Sequence, residues 1–328
     1  MTTQDYKYTA DDLKQMQSWS LERKIQVTQA KIVEFYGRLN GKIYQSFSGG
    51  KDSTVALSLS RRCYPGIEAV FCDTGLELPD IRKFALSQRD VTIVKPVMRY
   101  DEVIDTYGWC FPNKDIAKTV YYARKGSKWA LNNFNGVNKD GSVSKYKLRK
   151  YARWKFLIDS KFKISDKCCG VIKLEPLLKY ERESGNKAII ATLADESYRR
   201  RSAWFKTGCN VFDSERIVSK PLSFWKETDI LRYLHDYNVA YARVYGDIIE
   251  DKHGRLRTTG ERHTGCCFCP VACHLEKPNK FQRLEVAEPK LYDYVMNKLN
   301  LRELLDFVGV NYGTDSKKFA ELSKTSVT

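Results

Sequence analysis

The sequence holds 328 residues, with 56 Lys/Arg against 40 Asp/Glu for a formal charge of +16, and ten cysteines. That length buries a large core, as one elaborated domain or as a domain with a subdomain. The most apolar window, Ala188–Ala194, is far too short to span a bilayer, and the polar start Met1–Asp5 lacks a signal-peptide layout. We therefore expect a cytoplasmic protein with no membrane partner, its cysteines reduced and grouped for metal more than for disulfides.

Residues 1–40 read as a helical segment. Apolar residues stand at Leu13, Met16, Leu21, Ile25, Ile32 and Val33 from about Thr9 to Leu39, and Thr9 with Asp12 three residues on predicts an N-terminal cap. The run Lys42–Phe47 then reads as a strand that stops at Ser48-Gly49-Gly50-Lys51-Asp52-Ser53 and enters a helix reaching Cys63, where Tyr64-Pro65-Gly66 ends it. Such a turn predicts a phosphate cradle. Glycines let the backbone approach oxyanions, and a helix start offers unpaired N–H groups and the positive end of a dipole. Lys51 adds a mobile cation, and Ser48 and Ser53 add hydroxyl donors. Gly-Gly alone would read as an ordinary turn; Ser, Lys, Asp and Ser around it point to phosphate.

Glu68–Cys72 reads as a second strand, the region near Pro79–Gln88 as a helix, and Val91–Val94 as a third strand. This alternation predicts an α/β fold: a doubly wound, mostly parallel sheet with ligands at the carboxyl ends of its strands. On that rule Asp73-Thr74-Gly75, directly after the second strand, faces the same cleft as Ser48–Ser53, although alone it would pass for a plain polar turn.

From Lys114 to Lys163 the chain carries 14 Lys/Arg against 3 Asp/Glu, a net +11, interleaved with Tyr121, Tyr122, Trp129, Phe134, Tyr146, Tyr151, Trp154 and Phe156. Basic charge grips phosphate backbones and aromatic faces stack on bases, so this insertion, residues 114–163, is a candidate nucleic-acid surface; the plain alternative is a solvated face over core aromatics. Within it, residues 132–144 read as a loop and residues 147–158 as a basic helix. Beyond it come a strand at Lys187–Ala191, a helix over Asp195–Lys206 bearing Arg199, Arg200 and Arg201, an amphipathic helix over Trp225–Tyr237, and helices near Leu291–Val308. The expected division is residues 1–40, a nucleotide-binding α/β domain over residues 41–265, and a cysteine-rich, helical region over residues 266–328.

Cys168-Cys169 and, after 96 further residues, Cys266-Cys267-Phe268-Cys269 form two distant groups, with Cys273 beyond and glycines (Gly170, Gly265) beside them. Four thiolates from two short segments suit tetrahedral zinc or an iron–sulfur cluster. The four histidines form no catalytic signature; His263 and His274 flank the last cysteines as supporting or surface residues, or in place of one thiolate.

The turn Ser48–Ser53 does not fit Walker A, because Gln45 stands at the first glycine and Asp52 follows the lysine. It resembles the PP-loop, SGGxDS, of adenine-nucleotide α-hydrolases. The segment Cys168–Leu177 resembles the cysteine-pair segment of assimilatory adenylyl-sulfate reductases, Asp73-Thr74-Gly75 resembles a DTG turn, and Lys220-Pro221-Leu222 with Trp225 resembles an NPL…W segment. Together, over about Gly41–Cys273, these resemble the phosphoadenylyl-sulfate (PAPS) reductase family.

The resemblance implies phosphates on Ser48–Ser53, with Lys51 and Asp52 in the chemistry, and adenosine near Asp73–Gly75. It also implies Arg199–Arg201 against a sulfate or phosphate, and a [4Fe–4S] cluster (zinc the alternative) on Cys168, Cys169, Cys266 and Cys269, with Cys267 or Cys273 as a substitute for one of them. The family's opening Gly-x-Arg is here Thr192-Leu193-Ala194, and no cysteine follows Cys273 where reductases carry a tail nucleophile. Relatives in the same family activate nucleic acids, including the PAPS-reductase-like component of DNA phosphorothioation systems and cluster-bearing tRNA thiolases. The expected function is thus ATP pyrophosphatase-type activation, with Mg2+, in nucleic-acid sulfur modification of DNA or tRNA, sulfur coming from a cysteine desulfurase or another donor. The alternatives are a sulfate-nucleotide reductase using Cys209 or Cys273, and a nucleotide-sensing or partner-binding module without turnover.

Overall fold

The structure, a computed structural model, describes residues 6–314. The first elements are α1 (Ala10–Gln17), α2 (Leu21–Arg38), β1 (Ile43–Phe47), α3 (Lys51–Cys63), β2 (Ala69–Cys72), α4 (Pro79–Leu86) and β3 (Val91–Val94). Then follow α5 (Tyr100–Tyr107), α6 (Lys114–Arg124), α7 (Lys128–Phe134), α8 (Lys145–Tyr151), α9 (Glu175–Ser184), β4 (Lys187–Ile189) and α10 (Tyr198–Thr207). The last are β5 (Asn210–Val211), β6 (Val218–Ser219), α11 (Glu227–Asp236), β7 (Ile248–Glu250), β8 (Leu256–Thr258), α12 (Lys280–Ala287), α13 (Pro289–Asp293) and α14 (Leu301–Phe307). None of the described helices is long and apolar enough to cross a membrane.

These elements form two compact units. The first comprises the described residues through Lys95 together with Pro176–Thr264; the second comprises Pro96–Glu175 and the described residues from Gly265 onward.

The first unit is built on a six-stranded sheet in the order β3-β2-β1-β4-β6-β5, parallel at every pairing except β5 with β6. Successive residues point to opposite faces. On one face Ile43 and Ile189 pack with Ile32, Phe35, Val55 and Leu59 of α2 and α3, and with Trp225, Ile230 and Leu234 near α11. On the other, Tyr44 and Ala188 meet Leu177 and Tyr180 of α9. Helices therefore cover both faces, the doubly wound α/β arrangement expected from the alternation of strands and helices. The strand order reverses between β1 and β4, and a crevice for ligands opens at the carboxyl ends of the strands flanking such a point. Gln45, polar in the central strand, is satisfied there: its Nε2 donates to the Ile189 carbonyl at 3.1 Å and its Oε1 accepts from Ser60 Oγ at 3.1 Å.

The N-terminal segment is helical and is divided into two helices. Ser18 closes α1, and Ser20 caps α2 by accepting from the Arg23 N–H at 3.3 Å, so side-chain caps break the run at Ser18–Ser20. The Thr9 cap is formed as a reciprocal pair, with the Thr9 N–H on Asp12 at 2.7 Å and the Asp12 N–H on Thr9 Oγ1 at 3.1 Å.

The second unit is helical. Buried Phe111, Ile116, Val120, Phe134, Trp154, Leu157, Phe281, Leu284, Val295 and Leu304 fill its interior. The basic helix expected over residues 147–158 is α8 followed by a tighter turn over Ala152–Leu157, in which Trp154 and Leu157 are buried. Of the loop expected over residues 132–144, residues 132–134 instead complete α7, and residues 135–144 form the loop, pinned by a bridge between Val137 and Val143.

Candidate functional site

At the carboxyl end of β1 the backbone turns through Gly49 at φ +72°, where a Cβ would lie 2.8 Å from the Ile81 carbonyl oxygen, so this position requires glycine. Gly50 opens α3 without a side-chain cap, leaving its first-turn N–H groups for other acceptors. The two serines brace the loop: their hydroxyls lie 3.0 Å apart, the Ser48 N–H donates to Ser53 Oγ at 3.2 Å, and Ser53 donates to the Gly50 carbonyl at 2.9 Å. The Lys51 N–H donates to the Tyr245 hydroxyl at 3.2 Å, and that hydroxyl also bonds Thr264 Oγ1 at 2.5 Å. An oxygen acceptor thus sits where a helix N-terminus attracts oxyanions.

The Lys51 side chain is 3% exposed. Its ammonium lies 3.2 Å from Glu227 Oε1, donates to the Arg262 carbonyl at 2.7 Å, and stands 5.6 Å from the Tyr245 ring centre. Glu227, at the start of α11, also takes Arg262 at 2.7 Å and lies 4.0 Å from His263 Nε2. Burial works to raise the Glu227 carboxyl, but the Arg262 hydrogen bond and the Lys51 charge prevail and hold it below its ordinary range. Burial pushes the Asp52 carboxyl up, with Lys51 and His263 acting in the opposite sense. Burial and the Lys51 charge lower His263, favouring its neutral form.

After β2, Asp73 holds Arg82 through two hydrogen bonds of 3.0 and 2.9 Å. The Arg82 bond, against the cost of burial, keeps its carboxyl below the ordinary range. Thr74 takes its hydroxyl and N–H to Glu77 and accepts from the Leu76 N–H at 3.2 Å, so the turn is braced; Gly75 has φ +72° with open space where a Cβ would point. Of the three arginines at the start of α10, Arg200 lies near enough to Asp52 for their charges to interact and pairs with Glu196. Arg201 turns to Asp195 at 3.1 Å, and Arg199 is exposed.

In the second unit the cysteines from the two distant segments converge. Tyr100 is buried among Cys168, Cys269, Cys266 and Cys267; burial, then those sulfurs, push its hydroxyl well above the ordinary range. The adjacent pair divides its roles: a hydrogen bond from Cys168 lowers the Cys169 thiol while Cys168 itself is raised. Burial raises Cys266, opposed by Lys173. Cys110 is also present, raised by burial and by Cys269 and Cys169. Trp109, Tyr100, Phe268 and Tyr294 form an aromatic wall, with ring centres 6.2, 6.0 and 5.7 Å apart in succession. The chain leaves Cys169 through a π-turn, Gly170–Leu174, an irregularity common at functional positions.

Neither Gly170 nor Gly265 adopts a left-handed conformation, and a Cβ at either meets nothing within 4 Å. Sulfur donors with cations near them and an aromatic wall suit a thiolate-held metal group in chemistry. Among the described residues no three His, Cys, Asp or Glu side chains are gathered into a ready-made metal site. Cys273 is fully buried, its thiol pushed up to about 12 by burial. His274 packs its ring on Phe111 and Trp154, at 5.6 and 5.2 Å, with a buried Nδ1 that has no hydrogen-bond partner among the described residues.

The aromatics of the basic insertion divide. Phe134, Tyr151 and Trp154 are buried in the unit's interior, whereas Trp129, Tyr146 and Phe156 are exposed. Sequence reasoning missed Glu227, Tyr245, Arg262 and Thr264 as neighbours of the loop. Glu227 alone had a local signal, standing two residues after Trp225 at a helix start.

A glycine-bearing SGGKDS turn, closing the first strand beside the switch point of a doubly wound sheet, defines the PP-loop class of α/β proteins. The chain belongs to the phosphoadenosine phosphosulfate reductase domain family, whose profile matches residues 42–108 and 113–271. Two uncharacterized proteins of Methanocaldococcus jannaschii are similar to it. One is 26% identical over 277 residues, covering 83% of this chain and 51% of the relative. The other is 24% identical over 273 residues, covering 82% and 43%. The chain thus spans about half the length of the curated relatives it matches. Among solved structures, it is similar to phosphoadenylyl-sulfate reductase from Candida auris (TM-score 0.38, 16% identity, 76% of this chain and 99% of that one). It is also similar to the U34-tRNA thiolase NcsA from Methanococcus maripaludis with its [4Fe–4S] cluster (TM-score 0.33, 14% identity, 94% and 89%). Both likenesses are distant.

Proposed function

We propose that this protein uses ATP at the Ser48–Ser53 turn to activate an oxygen of a nucleic acid for replacement by sulfur. The observation that carries the reading is the meeting, within one unit, of Cys168, Cys169, Cys266, Cys267 and Cys269 with a strongly basic helical insertion. A small-nucleotide reductase has less use for such a surface, whereas a polyanionic acceptor needs it. An oxygen of the acceptor attacks the α-phosphorus of ATP, the bond between that phosphorus and the α–β bridging oxygen breaks, and pyrophosphate leaves. A sulfur nucleophile then displaces AMP, which carries away the acceptor's oxygen.

The start of α3 and Lys51 offset the charge gathering on pyrophosphate, Asp52 serves the accompanying Mg2+, Asp73–Gly75 flank the adenosine, and Arg199–Arg201 supply cations to the phosphates. Cys168, Cys169, Cys266 and Cys269 would hold a [4Fe–4S] cluster, with zinc the alternative, which supplies a place to hold sulfur before transfer. The sulfur itself comes from a cysteine desulfurase or another donor. The reductase alternative needs an exposed thiol of low pKa, and burial raises both Cys209 and Cys273.

The test is product identification: anaerobic protein incubated with ATP, adenylyl sulfate or PAPS, with and without DNA or tRNA, in the presence of a sulfide donor or of reduced thioredoxin. The proposal expects pyrophosphate from ATP and sulfur in the nucleic acid. Thioredoxin-dependent sulfite release would replace it with the reductase reading, and nucleotide binding without turnover with the sensing module.

A further inference from the structure

Along α6 and its C-terminal cap, Lys114, Lys118, Tyr121 and Lys125 recur at intervals of four, three and four residues and so share one stripe, while Ile116, Val120 and Ala123 are buried. The three lysines of the stripe are exposed. Lys125 Nζ stands 4.4 Å from the Tyr121 ring centre and Lys167 Nζ stands 5.4 Å from it. Tyr121 meets Tyr122 at right angles, with centres 5.3 Å apart, and Tyr122 meets Trp129 of α7 at 5.8 Å. Trp129 is 46% exposed.

The position of the stripe matters as much as its composition. Lys167 directly precedes Cys168, and Lys114 lies beside Cys169, so the stripe runs from the thiol pair to an exposed indole. The acid on this helix, Asp115, is turned away to Lys150, at 2.7 Å, and the Tyr151 hydroxyl; Asp166 is the acid whose charge reaches Tyr121. Cations spaced along a helix match phosphates, and rings open to solvent match the faces of bases. Bases in a duplex are stacked on each other and cannot offer those faces.

We propose that the stripe from Lys114 through Tyr121 and Lys125 to Trp129 seats an unpaired stretch of a nucleic-acid strand, with a base stacked on Trp129. The proposal rests on the reading that the acceptor is a nucleic acid, and it names the acceptor's form and seat.

Fluorescence anisotropy with labelled RNA and DNA single strands of about 16 nucleotides, and with matched duplexes, over a salt series tests it. Single strands bind more tightly than duplexes, and the RNA and DNA arms separate the two sources of strand. Trp129→Ala weakens single-strand binding about 5- to 100-fold, Trp129→Phe retains most of it, and Lys125→Gln lowers the slope of log K against log salt by about 0.7. Circular dichroism confirms that Trp129→Ala is folded. Equal binding of duplex and single strand, or wild-type affinity in Trp129→Ala, overturns the proposal. Wild-type protein that binds the strand but releases no pyrophosphate from ATP leaves this seat standing and removes the ATP reading of the cradle.

Discussion

The Lys51 ammonium is held 3.2 Å from the Glu227 carboxylate, so the cation of the phosphate turn is buried against an acid from the start of α11. Removing one partner of a buried pair leaves the other charge poorly compensated. Glu227→Gln is expected to destabilise the folded chain by about 1–3 kcal/mol, read by urea denaturation.

The same carboxylate gives a pH signature. Its folded pKa is lowered, by Arg262 and Lys51 against burial, so its contribution is present above its unfolded value and is lost as pH falls through the folded one. The stability gap between wild type and Glu227→Gln should be full above about pH 4.5 and narrow below it. A gap that is flat from pH 7 down to about pH 3 would contradict the pairing.

Gly49→Ala places a methyl group 2.8 Å from the Ile81 carbonyl at φ +72°. The expected cost is about 1–3 kcal/mol, with loss of nucleotide affinity because the turn must shift. Gly75→Ala, at the same φ but in open space, should cost less, near 1 kcal/mol, and the two melts compared decide the point.

Tyr245→Phe removes the hydroxyl that accepts from the Lys51 N–H and bonds Thr264. Stability should fall by about 1 kcal/mol, while ATP binds more tightly because that N–H becomes available to a phosphate oxygen. Weaker ATP binding would instead make Tyr245 a contact of the nucleotide.

Anaerobically purified wild type should contain about four irons and matching sulfide per chain. Serine at Cys168, Cys169, Cys266 or Cys269 should each lower that content, and serine at Cys63 should not. One zinc per chain without sulfide would select the alternative metal.

The features legible in the sequence were those written locally. Ser48–Ser53 and Asp73–Gly75 each follow a strand within a few residues, and the alternation of strands with helices sufficed for the doubly wound sheet. β5 and β6 were invisible because two residues cannot show a period. Glu227, Tyr245 and Thr264 reach the turn only through the folded sheet, and no spacing rule joins them to Lys51. Composition alone could not sort the basic insertion's aromatics: Trp154 and Trp129 sit in similar charge, yet one is core and the other lies open. His263, which flanks the cysteines in sequence, stands beside Glu227 instead.

On the proposed function, the Ser48–Ser53 turn supports cleavage of ATP between its α and β phosphates. ATP labelled at the α-phosphate, given to anaerobic wild-type protein with a nucleic-acid acceptor and a sulfide donor and separated by chromatography, tests it directly. Labelled AMP and an equal amount of pyrophosphate are expected, both lost in Gly49→Ala. Labelled ADP with phosphate, or unchanged ATP alongside sulfite released from PAPS, would contradict it.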